Sequence, residues 1–143
     1  RIANGEKLSY RQKDIKIKGH SIECRINAEN PNKNFMPCPG RIERYISPGG
    51  YGIRVDSHIY DDYTIPPTYD SMIGKLIVWG RDRDEAISRM KRALDEMIIM
   101  GIDTNLDFQK QILNNKNFVD NKVDTSFIEK ILNPALKEEV DNA

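Results

Sequence analysis

The sequence predicts an α+β domain, a mainly antiparallel β-sheet with C-terminal helices packed on it, with residues 1–143 forming one unit. Three observations carry this. Apolar and polar residues alternate with period two over 21–29, the pattern of a half-buried strand. After Gly80 the apolar spacing turns helical. Strand patterns come first and helix patterns later, the order of an α+β chain rather than of alternating parallel units. A length of 143 residues suits one domain, since single cores usually take about 100–200 residues.

The elements follow in order. Arg1 to Ala3 read as a helix tail stopped by Gly5. Asp14 to Lys18 alternate weakly through Ile15 and Ile17. In the next segment Ile22, Cys24, Ile26 and Ala28 share one parity, while Glu23, Arg25 and Asn27 share the other face. Residues 30–34 form a turn, and Pro37-Cys38-Pro39-Gly40 a stiff connector. Arg41 to Ile46 is a short strand, Ser47 to Gly50 a turn, and Tyr51, Ile53 and Val55 begin another alternation. Met72 to Trp79 is nearly apolar on both parities, which predicts a strand covered on both faces. Asp82 with Glu85 resembles a capping box, opening a helix whose stripe is Ile87, Met90, Leu94, Met97 and Ile98, with Gly101 as its stop. Thr104 with Asp107 starts a second helix carrying Leu106, Ile112 and Leu113. Ser126 with Glu129 starts a third, which Pro134 should end before a frayed tail from Lys137.

Composition narrows the function. Lysine plus arginine and aspartate plus glutamate number 22 each, so the basic excess of a nucleic-acid binder is missing. Mean hydropathy is -0.63, and no apolar run approaches the ~20 residues that cross a bilayer. The N-terminus has no signal-peptide pattern and does not begin with Met, so a fragment located in the cytoplasm is expected. Cys24 and Cys38 lack metal-site spacing and are expected to be reduced thiols.

Pattern-level chemistry is sparse. Gly49-Gly50-Tyr51-Gly52 lacks the spacing of a phosphate loop and reads as a tight turn. His20 and His58 lack partners in sequence, and Lys75 reads as a side chain snorkelling from a strand edge. Two constellations remain. Glu23-x-Arg25-x-Asn27 places an acid, a guanidinium and an amide on one strand face, with same-face neighbours about 7 Å apart. Tyr51-x-x-Arg54 pairs an aromatic with an arginine, as interface cores do. On pattern alone, an ordinary solvated strand face explains each constellation better.

A resemblance changes that balance. Gly19-His20-Ser21-Ile22-Glu23-Cys24-Arg25-Ile26-Asn27-Ala28-Glu29, then Phe35 to Ile42, Pro48 to Tyr60, Tyr69 to Ile77 and Gly101 to Asn105, resemble the biotin carboxylase C-terminal domain. The wording is closest to the biotin carboxylase of bacterial acetyl-CoA carboxylase, and it departs more from pyruvate carboxylase around Ser57-His58-Ile59-Tyr60. The resemblance implies an ATP-dependent ligase that carboxylates biotin with bicarbonate, in the first committed step of fatty acid synthesis. It implies ATP with Mg2+ or Mn2+ bound by a region upstream of Arg1, so the isolated chain should be inactive. Implied partners are a biotin carboxyl carrier protein, carboxyltransferase subunits and a second copy in a homodimer; a membrane or nucleic acid is not expected. Arg25 would stabilise the anionic biotin ureido group, with Glu23 and Asn27 shaping the pocket. Tyr51, Arg54, Asp70 and Glu96 would lie at the dimer interface, and no residue would bind metal. Thr68, Cys38 and Asp62 depart from the family's usual tyrosine, serine and glycine. The alternatives are a non-catalytic dimerisation module and the same domain of another acyl-CoA carboxylase.

Overall fold

The computed structural model describes residues 1–132. Nine strands and four helices follow in chain order: β1 (His20–Asn27), β2 (Glu29–Asn30), β3 (Met36–Pro37), β4 (Gly40–Arg41), β5 (Arg44–Ile46), β6 (Ile53–Ser57), β7 (Thr64–Ile65), β8 (Met72–Gly80), α1 (Arg83–Glu96), β9 (Ile98–Met100), α2 (Leu106–Asn114), α3 (Lys116–Val119) and α4 (Phe127–Leu132). The principal sheet is antiparallel with order β1-β8-β6, and three two-stranded ribbons join β2 to β3, β4 to β7 and β5 to β9. The α+β expectation holds.

The alternation in β1 drives its packing. Cys24 and Ile26 are buried, and Glu23 and Arg25 emerge on the opposite face. In β8, Ile73, Leu76 and Val78 are buried while Lys75, Ile77 and Trp79 are half-buried. The strand is central in its sheet, but only one face is fully covered, so the two-faced expectation is corrected. The covering layer on that face is α1, through Ala86, Ile87, Met90, Ala93 and Leu94. Gly80 permits the close strand–helix corner, because a Cβ there would lie 2.6 Å from the backbone nitrogen of Ala86. Asp82 caps α1 by accepting from Glu85 N–H at 2.9 Å. The returning bond of the expected box goes instead from Arg81 N–H to Glu85, at 2.6 Å.

Four other local expectations need correction. Residues 14–18 form no strand, and Ile17 is 96% exposed. Arg41 to Ile46 is broken at Ile42, which is wholly buried, so that β4 and β5 can join different partners. The apolar stripe of α1 does not continue through Ile98: the helix stops at Glu96, and 98–100 pair with β5 as β9. Gly101, at φ 97°, therefore follows a strand rather than a helix. The short α3, capped by Asn115, had no expected counterpart. Pro134 and the tail from Lys137 lie outside the described residues.

Candidate active-site strand and interface face

The register of the principal sheet assembles a charged face. Glu23 lies opposite Ile77, which lies opposite Arg54; Arg25 lies opposite Lys75, which lies opposite Asp56. Directly opposed side chains start about 4.5–5.5 Å apart at Cβ, so the two rows form one patch. Lys75 is therefore central rather than at a strand edge. It stands between Arg25 and Asp56, a placement that its own sequence neighbourhood could not reveal.

Arg25 points to solvent, with its side chain 69% exposed, and its Nε is 3.9 Å from Glu23 Oε1. That separation is too long for a hydrogen bond. Among the described residues no hydrogen bond holds the guanidinium, so its planar fork of donors is open to an anionic oxygen. Arg54 differs. It grips Asp56 through three contacts of 2.7–3.1 Å. This bond holds the Asp56 carboxyl below the usual carboxylate range, helped by the Lys75 charge, and pushes Arg54 upward. Beneath the patch, burial and the Glu23 charge push the Cys24 thiol up to about 12, so it is a core group, not a nucleophile.

Asn27 ends the strand but turns away from Arg25. Its Nδ2 donates to Glu29 Oε1 at 3.2 Å, while Glu29 also accepts from the Ser71 hydroxyl. Its Oδ1 is buried without a partner among the described residues. Tyr51 is 81% exposed in the turn before β6, with the Arg89 guanidinium 5.7 Å from its ring centroid. Glu96 accepts from Arg92 at 2.6 Å, and Arg92 reaches the Gly49 carbonyl at 3.4 Å, so Glu96 braces the turn that carries Tyr51. Asp70 caps the start of β8 by accepting from Met72 N–H at 2.7 Å. Glu23, Arg25 and Arg54 thus share one face, with Tyr51 in the turn leading into it. Asp70 and Glu96 secure backbone elsewhere. The histidines have structural neighbours: His20 meets Arg83 at 3.2 Å, and His58 packs edge-on against Tyr63.

Two residues that motif reading passed over also reach β1, namely Asn105 and Gln109, through the carbonyl of Arg25. Asn105 carried the signal of a polar residue before an apolar helical run, but its target lies 80 positions away. Among the described residues no group of three His, Cys, Asp or Glu side chains could hold a metal ion, and no helix is long and apolar enough to cross a membrane.

This fold is that of a domain from the carboxylating ligases. It superimposes with a TM-score of 0.86, at 46% identity over 93% of this chain and 30% of the other, on the biotin carboxylase domain dimer of Hydrogenobacter thermophilus 2-oxoglutarate carboxylase in complex with MgADP, ADP and bicarbonate. More narrowly, the family model for the biotin carboxylase C-terminal domain matches residues 23–130, and the chain belongs to that family. It is 57% identical over 130 residues to the chloroplastic biotin carboxylase of Arabidopsis thaliana, covering 91% of this chain and 24% of the relative. It is 53% identical over 132 residues to the biotin carboxylase of Pseudomonas aeruginosa, covering 92% of this chain and 29% of the relative. The chain thus spans about a quarter to a third of these relatives.

Proposed function

We propose that this chain is the C-terminal part of the biotin carboxylase subunit of a bacterial, cytoplasmic acetyl-CoA carboxylase, and that it supplies Arg25 to the step in which carrier-bound biotin is carboxylated. One observation carries the role of Arg25: its guanidinium stands on a solvent-facing strand without a hydrogen-bonding partner among the described residues, whereas nearby Arg54 is fully engaged by Asp56. A ureido nitrogen is a poor nucleophile, and loss of its proton puts negative charge on the ureido oxygen. A preorganised donor aimed at that oxygen lowers the barrier. Arg25 is suited to this, and Lys75, opposite it, adds positive potential to the same patch.

As the resemblance implies, ATP, its metal and bicarbonate are assigned to the portion of the relatives that this chain does not span. In the complete subunit, Arg25→Ala should lower biotin-dependent ATP cleavage about 10²–10³-fold. Unchanged turnover in that variant would overturn the role.

The second half of the proposal is a homodimer meeting through Tyr51 and Arg54, with Asp70 and Glu96 as further interface charges. The exposure of Tyr51 and the dimeric biotin carboxylase domain among the similar structures support it. Sedimentation of the complete protein carrying Arg54→Glu should show weaker dimerisation, and an unaltered tight dimer would refute this half. The biotin carboxyl carrier protein and the carboxyltransferase subunits complete the proposed assembly, which would open fatty acid synthesis. Acetyl-CoA as acceptor rests on the wording of residues 57–60; co-purification with a pyruvate-type transferase would displace it. The free thiols of Cys24 and Cys38 fit a reducing compartment.

A further inference from the structure

The strand that presents Arg25 is an edge strand. β8 pairs with β1 on one side only, and that pairing slips at its end, where Ile26 faces Gly74 but Asn27 faces Met72. The backbone groups of Arg25 and Asn27 that turn away from β8 have no strand to bond. Asn105 meets them. Its Oδ1 accepts from Asn27 N–H at 2.9 Å, and its Nδ2 donates to the Arg25 carbonyl at 3.0 Å. Its own backbone N–H donates to the Asn27 carbonyl at 3.1 Å. Gln109, one helical turn further on, donates through Nε2 to the same Arg25 carbonyl at 3.2 Å. The asparagine amide stands where the peptide group of a further strand would stand, donor to one residue and acceptor from the residue two positions on.

Two features set this contact apart from ordinary packing. Asn105 is the one buried polar or charged side chain among the described residues, at 6% exposure. It also occupies the N-cap of α2, where an asparagine side chain would normally accept from the first turn of its own helix, yet it makes no such bond. Its hydrogen-bonding capacity is directed across the fold to β1 instead.

We infer that Asn105 is a positioning residue for biotin carboxylation, with Gln109 assisting: by clamping the peptide groups on either side of Ile26, it sets the direction in which Arg25 leaves the strand. This rests on the role proposed above for Arg25. Among the described residues no side-chain hydrogen bond orients the guanidinium, so the placement of its head is governed by the backbone from which it grows. Small backbone displacements are magnified along a long side chain, and a misplacement of about 1 Å at a reacting centre can cost about 10²-fold.

The test is a double-mutant cycle in the complete subunit, using free biotin. Biotin-dependent ATP cleavage is measured, with biotin-independent ATP cleavage and the melting temperature as controls. Asn105→Ala should lower the biotin-dependent kcat about 10- to 100-fold and leave biotin-independent cleavage within about twofold. Combined with Arg25→Ala it should add almost nothing, because a residue that acts through Arg25 has nothing left to orient. Multiplication of the two effects, with Arg25→Ala crippled on its own, overturns the positioning role and leaves that of Arg25 intact. Full turnover in Arg25→Ala alone overturns the role of Arg25 and this inference with it. Should Asn105→Ala fail to fold, Gln109→Ala takes its place, with a smaller loss, about two- to fivefold, that Arg25→Ala again absorbs; a loss that multiplies, or none at all, refutes the inference.

Discussion

The two ends of the charged face are held in different ways. At the end of β1, Arg25 has no hydrogen bond at its head among the described residues and is clamped at its backbone by a buried asparagine. On β6, Arg54 is tied at its head to Asp56, and both side chains remain largely in water. A buried hydrogen bond cannot be exchanged for one to solvent, so breaking it leaves orphaned groups. An exposed ion pair can be, and salt screens it. The first arrangement fixes a strand while leaving a guanidinium available. The second occupies a guanidinium and fixes little else. A residue meant to meet an incoming anion suits the first, and one meant to present a shaped, charged surface suits the second.

Leu76 sets the scale for breaking this comparison. It lies beneath both ends, opposite Cys24 and Val55, and is wholly buried. Leu76→Ala should cost about 2–5 kcal/mol in denaturant unfolding. Asn105→Ala should cost less, about 1–3 kcal/mol for a buried group left without its partner. Asp82→Ala, which removes the cap of α1, should cost about 1 kcal/mol by the same measurement.

The Cys24 thiol gives a pH signature at the clamped end. Its ordinary value is 9.0 and the folded value about 12, so the unfolded chain binds fewer protons between those limits. Stability should therefore fall as pH rises from 9 towards 12, and Cys24→Ala should flatten that fall in melting curves taken across the range. The smallest effect belongs to the exposed pair. Asp56 titrates below its usual range in the folded chain, so its contribution is present above the normal carboxylate range and is lost as pH falls through the lowered value. Because the pair is exposed, Asp56→Asn should leave the melting temperature at neutral pH almost unmoved, with any residue of the effect vanishing in high salt. A large shift would mean that the two ends are held alike.

Asp62 shows how far a sequence departure can be understood. It stands where the resemblance leads one to expect glycine and adopts φ 71°, in the left-handed region that glycine occupies freely. Aspartate tolerates this conformation better than most residues, and here its carboxylate is engaged by Arg41 at 2.6 Å. The departure is accommodated locally and does not reach β1.

What the chain announced by itself was whatever repeats over a few residues. The inward parity of Ile22, Cys24 and Ile26, and with it the outward face of Glu23 and Arg25, followed from the period of a strand. The cap at Asp82 and the buried stripe through Met90 and Leu94 followed from the period of a helix. Tertiary structure decided what depends on partners far along the chain. Residues 98–100 left the helical stripe because β5 offered them a ladder, and Lys75 came to lie between Arg25 and Asp56 only through strand register. The sequence put the start of α2 at Thr104, yet Asn105 occupies the N-cap and its side chain serves an edge strand some 80 positions earlier. Side-chain period is set by neighbouring dihedral angles and can be read in a short window. Which buried donor meets which buried acceptor is settled only when the folded chain leaves no water to take either place.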